Sequence, residues 1–512
     1  MTSALRALRT RVIKLLAFTS MYVLVVVALG IVYVVALVLS LTGQLAYSAA
    51  ELLATGAAIA LGAFAGDAAL HRLMRTPLRW ESTLITVLIL VFVMRPSIDL
   101  VALLWLVVTG VIAAASKVVL AWSGRHIFNP AAIAAAVMTI IGVSPAAWWV
   151  GTPLLAGVIA VVGLAVAWRT EKIRIVLVFI VVAWVISVVT TLAAYANAGL
   201  AVSFGDVTLP MLVSSPILFL GFFMLTEPLT LPPRRWQQFA VAVVVAFFCG
   251  YPLSIGDISL GADRALLIGN LIAFFWALRS RNLSRLVVTD TREVTPRIRE
   301  VTLLAPPSAV FTAGQYIEVT VAHKNPDVRG TRREFSVVSA PAELPQLRLA
   351  YRVSPPERGS TFKRALGTVQ PGDRLSATGV WGDFTLPARG PLLFVAAGIG
   401  ITPFVSFVRE LSTRGLQRDI VLVYVAASAD ELAYHADFAD HRVIIVTPDD
   451  PTPLGNEVWA GGVRLSASVM SDLVPDLASR HALISGPPAL IADLQPALAM
   501  AASVKTDAFA GY

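Results

Sequence analysis

The distribution of charge along the chain constrains its folding more than any single motif does. Residues 1–281 hold 18 Lys and Arg against 9 Asp and Glu, spread through a near-continuous series of apolar runs; residues 282–512 hold 22 against 23 and read as a soluble sequence. The apolar share of 57% and the mean hydropathy of +0.77 therefore belong to the first half. A 512-residue chain exceeds one core, so at least two domains are expected. The apolar half predicts membrane-spanning helices.

Those runs end near Leu41 and then cover residues 45–66, 82–95, 99–120, 130–147, 151–168, 174–195, 211–226, 236–254 and 262–279, which predicts about ten helices. The first run follows Arg6, Arg9, Arg11 and Lys14 but is too long for a cleaved signal, so it reads as a retained helix. Starting inside, alternate loops collect Arg72, Arg75, Arg79, Lys117, Arg125, Arg169, Lys172, Arg174, Arg234, Arg235, Arg279 and Arg281 on the cytoplasmic side. Only Arg95 and Arg264 fall outside. The expectation is a multi-pass protein of the cytoplasmic membrane, in contact with the lipid bilayer and with both termini in the cytoplasm. Its basic surplus belongs to loops and implies no nucleic-acid partner.

The single cysteine, Cys249, excludes a disulfide framework, a Cys-ligated zinc site and an iron–sulfur cluster held by this chain alone. His71 and His126, the two histidines before residue 282, sit in basic loops and cannot form two bis-histidine haems. They read as solvated or headgroup-facing residues, and no metal site is expected. Three polar stretches interrupt the apolar half: residues 123–135, where Gly124 and Asn129 precede a helix opened by Pro130; residues 223–233, around Glu227-Pro228; and Glu81 to Thr86.

Phe128-Asn129-Pro130-Ala131 and Thr226-Glu227-Pro228 resemble motifs of the flavin-carrying membrane proteins of the sodium-translocating NADH:quinone reductase and of the Rnf complex, a resemblance covering about residues 10–280. Those are ten-helix flavoproteins. The likeness implies a membrane flavin, FMN or riboflavin, near Asn129, Thr226 and Glu227. That family attaches FMN to a threonine in a Ser-Gly-Ala-Thr motif; the corresponding loop here runs from Ser203 to Pro210 and offers Thr208.

Past a short basic connector the pattern changes to alternating strands separated by Gly, Pro and Asp turns, from Leu286 to about Pro387. This predicts a six-stranded antiparallel β-barrel. Phe311 to Tyr316, Arg333-Glu334-Phe335-Ser336, Tyr351-Arg352, Gly359-Ser360-Thr361 and Val380 to Phe384 follow in the order seen in the ferredoxin-NADP reductase superfamily. The resemblance implies an FAD domain. In it Arg333 grips the pyrophosphate, Phe335 stacks on the isoalloxazine and Ser336 bonds its reactive edge, while Gly359, Ser360 and Thr361 hold phosphate and Tyr316, Tyr351 and Arg352 add contacts.

After Pro391 a buried strand, Leu392 to Ala397, leads through Gly398-Ile399-Gly400-Ile401-Thr402-Pro403 into an apolar-periodic helix. Glycines there let a pyrophosphate approach the backbone at a helix N-terminus. Further strands at Ile420–Val425, Arg442–Thr447 and Ala482–Ser485, alternating with helical segments, predict a parallel α/β sheet. Ser485-Gly486-Pro487-Pro488 stands where the superfamily usually has Cys-Gly-Pro-Pro beside the nicotinamide, and Tyr512 resembles a terminal aromatic that shields the flavin. Ser336, Ser485 and Tyr512 are thus the expected catalytic set. Ala426 to Glu431 carries two acids and no arginine to receive a 2′-phosphate, which favours NADH over NADPH.

The expected organisation is a transmembrane domain (1–281), an FAD-binding barrel (282–388) and an NAD(P)-binding domain (389–512). The expected activity is transfer of electrons from NAD(P)H through FAD into the membrane half, to quinone or a second flavin. Two alternatives are a redox-driven ion transporter and a diaphorase whose helices serve as an anchor.

Overall fold

The computed structural model describes residues 21–74, 80–122, 125–255, 258–279, 285–324, 327, 331–353, 360–453 and 455–508. Gly124, Gly359, Tyr512 and the cations Arg6, Arg9, Arg11, Lys14, Arg75, Arg79 and Arg281 lie outside the described residues. The chain divides after Arg279 into two compact units.

The helical unit comprises α1 Met21–Leu41, α2 Ala49–Met74, α3 Trp80–Val93, α4 Leu100–Val119, α5 Pro130–Ile140, α6 Pro153–Arg169, α7 Ile173–Asn197, α8 Phe204–Val213, α9 Ile217–Met224, α10 Arg235–Gly250 and α11 Ala262–Arg279. By length and composition α1, α2, α4 and α7 could each cross a membrane, and α8 with α9, bent by 42°, adds a fifth if the pair is one span. The run at 82–95 matches the 14-residue α3 in length, whereas the run at 130–147 continues through a turn beyond the 11-residue α5. A 14-residue helix rises about 21 Å, less than the ~30 Å of bilayer hydrocarbon.

Helix ends placed in an apolar surrounding need protein partners for their unpaired backbone groups, and the termini of α3 and α5 have them. The Val93 carbonyl accepts from Ala147 and Trp148 N–H at 2.8 and 2.9 Å, and Trp149 Nε1 donates to the Val91 carbonyl at 2.6 Å. Asn129 caps α5 through Ala132 N–H at 3.0 Å, while its own N–H donates to Asn270 Oδ1 at 2.9 Å. Glycine sets one close crossing: a Cβ on Gly62 would lie 1.9 Å from the Val107 carbonyl oxygen, so α2 and α4 pack backbone to backbone.

In the second unit, β1 Leu286–Thr295, β2 Ile298–Leu304, β3 Tyr316–Thr320, β4 Arg332–Ser336, β5 Gln346–Arg352 and β6 Arg374–Trp381 form one antiparallel sheet in the order β4-β3-β6-β1-β2-β5. Just past β4, a bridge between Val337 and Leu349 brings the two outermost strands of that order together. Helix α12, Thr361–Leu366, lies between β5 and β6 in the chain.

The second sheet is parallel. It contains β7 Leu392–Ala397, β8 Ile420–Val425, β9 Arg442–Val446, β10 Glu457–Trp459, β11 His481–Gly486 and β12 Ser503–Ala508, ordered β10-β9-β8-β7-β11-β12, with α13 Thr402–Thr413, α14 Ala467–Leu473 and α15 Pro488–Leu494. Strands β10 and β12 were not apparent from hydropathy, being short or polar. Between β8 and β9 the chain forms two 3-10 turns rather than a helix. One core spans the two sheets: Phe394, Phe404 and Phe407 of the parallel layer pack with Phe384, Ile298, Ala313 and Val338 of the antiparallel one. The Phe394 and Phe404 rings stack at 4.6 Å.

Candidate functional sites

The parallel sheet reverses its strand order between β7 and β11, and ligands of such sheets bind at the carboxyl edge beside that reversal. Gly398-Ile399-Gly400-Ile401 leaves β7 there as a 3-10 turn and runs into α13, which Pro403 opens. Gly400 is required by contact, since a Cβ would lie 2.3 Å from the Ser485 carbonyl oxygen of β11. A Cβ on Gly486 would lie 2.8 Å from the Ala397 Cβ. The glycine turn and the Ser485-Gly486-Pro487 corner are thus pressed against each other. Thr402 is buried and donates to the Ile399 carbonyl at 3.1 Å, closing the turn. Asp507 of β12, which the sequence reading missed, lies opposite Ser485 in register, its Oδ2 3.4 Å from Ser485 Oγ.

In the antiparallel sheet, Tyr316 of β3 stands in register with Ser336 of β4 and Trp381 of β6. Along β4 Arg333 and Phe335 share one buried face, as a period of two requires. The Phe335 ring is buried in the lobe core 5.8 Å from Phe362, so its aromatic partner here is internal. Arg333, also buried, lies 5.3 Å from the Phe362 centroid.

Arg333, Ser360 and Thr361 converge on a residue absent from the sequence reading. Asp327 Oδ1 accepts from Arg333 Nη2 at 2.9 Å; Oδ2 accepts from Ser360 Oγ at 3.1 Å and from the Thr361 N–H at 3.0 Å. Thr361 Oγ1 in turn accepts from the Asp327 N–H at 2.8 Å and lies 3.0 Å from His323 Nε2. Burial pushes the Asp327 carboxyl up, but the Arg333 charge and the hydrogen bonds from Ser360 and Thr361 outweigh it and hold the carboxyl below its usual range. A guanidinium, a hydroxyl and a helix-start N–H aimed at one anion are the donor set that a cofactor phosphate needs. The residues present therefore fit the FAD pyrophosphate.

Tyr351 and Arg352 do not join this cradle. Tyr351 is buried, which pushes its phenol up. Arg352 Nη2 pairs with Glu431 Oε1 at 2.6 Å, and Arg297 Nη1 reaches the same oxygen at 3.0 Å. Glu431 follows β8, so the pair joins the two sheets. Nearby, Tyr434 Oη donates to Glu300 Oε2 at 2.5 Å, a second link. Burial and the Glu300 charge push the Tyr434 phenol up. Of the two acids thought to disfavour a 2′-phosphate, Glu431 is therefore buried and neutralised, and Asp430 alone is exposed.

In the helical unit the separate polar stretches meet around one cavity. Its lining includes Ser82, Thr86, Asn129, Phe222, Thr226 and Glu227. Asn129 Nδ2 donates to Glu227 Oε2 at 2.8 Å, His126 Nδ1 lies 3.2 Å from Glu227 Oε1, and Arg125 donates to the Pro228 carbonyl. His126 is a correction to the sequence reading: its side chain is 13% exposed and lines the cavity, drawn in by the Glu227 carboxylate. Thr208 lies outside this lining. It belongs to α8, a helix capped by Ser203 rather than a loop, and its carbonyl accepts from Trp184 Nε1 at 2.7 Å. Asp67, bonded to Lys117 Nζ at 3.0 Å and to Thr83 Oγ1, forms a buried polar cluster between α2, α3 and α4 that the apolar runs concealed.

Residues 394–495 match the model of the oxidoreductase NAD-binding domain. The reductase subunit of an aromatic O-demethylase from Amycolatopsis sp. is 31% identical over 217 residues, 40% of this chain and 61% of that protein. An NADH oxidoreductase from Escherichia coli is 27% identical over 205 residues, 40% of this chain and 60% of its own length. Among solved structures, Amycolatopsis cytochrome P450 reductase aligns over 44% of this chain and 69% of its own, at 25% identity and a TM-score of 0.38. Phthalate dioxygenase reductase aligns over 44% and 68%, at 23% identity and a TM-score of 0.36. The chain spans about three fifths of the length of these curated relatives. Its C-terminal unit thus carries a match to an oxidoreductase NAD-binding domain and is similar to reductase components of electron-transfer systems.

Proposed function

We propose that the whole chain is a membrane reductase that takes electrons from NAD(P)H and delivers them to an acceptor in its helical half. The observation that carries this reading is the pairing, in one compact unit, of an anion cradle at Arg333, Ser360 and Thr361 with a glycine turn pressed against Ser485. The first fits a flavin dinucleotide and the second a nicotinamide dinucleotide. FAD, when bound, would supply acceptance of a hydride and release of electrons one at a time. The chain's own residues bind and orient. Gly398 and Gly400 bring backbone to the nicotinamide dinucleotide's phosphates, Ser485 and Asp507 offer polar atoms at the sheet edge, and Ser336 lies beside Tyr316 at the flavin edge. NADH is the favoured donor, because the segment after β8 presents an exposed Asp430 and no arginine.

In this reading the helices cross the cytoplasmic membrane with both termini inside, which the charge count supports, and the domains divide near residues 281 and 388. The acceptor site is the cavity at Asn129, Thr226 and Glu227, taking quinone or a second flavin, FMN or riboflavin. Its aromatic and aliphatic walls suit a planar ring, and Asn129, His126 and Glu227 suit carbonyls that gain protons on reduction. Buried Asp67 with its partner Lys117, together with Glu227 at the cavity, favours a second reading, in which electron transfer also drives an ion across the membrane.

Glu227→Gln and Asn129→Ala variants of the full chain, in detergent or nanodiscs, test the acceptor site. Quinone reduction by NADH should fall at least tenfold while ferricyanide reduction stays unchanged. Equal quinone reduction by both variants and the wild type defeats the reading. Sodium- or proton-dependent turnover in liposomes decides the second.

A further inference from the structure

The three donors suited to the FAD pyrophosphate are all engaged by one carboxylate in this structure, and from this we infer that Asp327 is a built-in stand-in for the cofactor's phosphate. The inference rests on the reading of Arg333, Ser360 and Thr361 as the pyrophosphate cradle. Asp327 satisfies the cradle as an anion would: Oδ1 takes the guanidinium at 2.9 Å, and Oδ2 takes the Ser360 hydroxyl at 3.1 Å and the first N–H of α12 at 3.0 Å. Its own backbone is tied to the same element, through the bond from Asp327 N–H to Thr361 Oγ1 at 2.8 Å. Charge supports the assignment, because the carboxylate sets a negative charge 2.9 Å from the buried Arg333 guanidinium.

FAD and Asp327 therefore compete for one set of donors. The flavin binds a population in which the carboxylate has withdrawn, and its apparent dissociation constant is raised by the fraction still latched. Two consequences have opposite signs. The carboxylate stabilises the cofactor-free protein through its ion pair with Arg333, and it weakens FAD. A residue that merely scaffolds the loop would lower both stability and affinity when removed.

The test uses the full chain in detergent, stripped of flavin, with Asp327→Asn, Asp327→Ala and Arg333→Ala variants. FAD is titrated by its fluorescence, and the melting temperature of the cofactor-free protein is read alongside. Both Asp327 variants should bind FAD roughly tenfold to a hundredfold more tightly, the range expected when hydrogen bonds to a charged competitor are lost. The cofactor-free Asp327→Ala protein should melt earlier. The wild-type association rate should level off at high FAD, limited by release of the carboxylate, and those of the variants should keep rising. Unchanged or weaker FAD binding in both Asp327 variants overturns the inference. If Arg333→Ala binds FAD as tightly as the wild type, the cradle reading fails, and the inference with it. If Arg333→Ala weakens binding while the Asp327 variants do not strengthen it, only the stand-in fails.

Discussion

Gly400→Ala is the most exacting test of the crevice between β7 and β11. A Cβ at this position would sit 2.3 Å from the Ser485 carbonyl oxygen and 2.8 Å from its carbon. Both are backbone atoms held in a parallel ladder in which Leu392 to Ala396 pair with His481 to Ser485, so no side chain can rotate to make room. Gly400 does not adopt the left-handed conformation, so the cost is steric and not conformational. Relief of about an ångström must come from moving the glycine turn off the sheet edge. Overpacking of this kind costs about 1–3 kcal/mol, and the displaced backbone is the part proposed to meet the dinucleotide phosphates. The expected result is a stability loss of that size with a rise of at least tenfold in KM for NADH, measured by ferricyanide reduction, and with FAD content unchanged. Gly415→Ala is the control. Gly415 has φ +63° and open space around it, so alanine costs about 1 kcal/mol of backbone strain and leaves KM alone. A Gly400→Ala protein with wild-type KM and stability, or a Gly415→Ala protein with the same kinetic defect, refutes the close contact as the reason for glycine.

Other perturbations reach other parts of the molecule. Glu431→Ala removes the shared partner of Arg297 and Arg352; because both arginines are about half exposed, a loss of about 1–2 kcal/mol in chemical unfolding of the C-terminal unit is expected. Burial holds His441 below its ordinary value of about 6.5, with Asp440 and Asp419 opposing. Protonation therefore favours the unfolded chain. Wild-type stability should fall as pH drops through and below about 6.5, and His441→Asn should flatten that slope; an identical slope in the variant contradicts the assignment. Gly62→Val drives a side chain into the Val107 backbone, so the helical unit should melt earlier in detergent while NADH-ferricyanide activity, carried by the other unit, persists.

The C-terminal unit was legible where its chemistry is local. A continuous apolar strand running into Gly398-Ile399-Gly400 declares both the turn and the helix that follows, and the alternation along β4 puts Arg333 and Phe335 on one face. Pairings between distant segments were not legible. Asp327 meets Ser360, 33 residues further on, and Arg352 pairs with Glu431, 79 residues further on. In the helical half the polar stretches around Asn129 and Glu227 were visible, and their meeting is a product of tertiary packing. Hydropathy could not separate an apolar helix from the apolar turn that continues it, so α5 came out too long.

The short α3 has a consequence for synthesis. The groups that pair its terminal carbonyls, on Ala147 to Trp149, lie more than fifty residues downstream of Val93. At a translation rate of roughly 5–20 residues per second, those donors emerge several seconds after the helix itself. Throughout that interval the end of α3 must find other donors. Slowing the ribosome between residues 95 and 145 should therefore lower the yield of folded protein more than the same delay after residue 150.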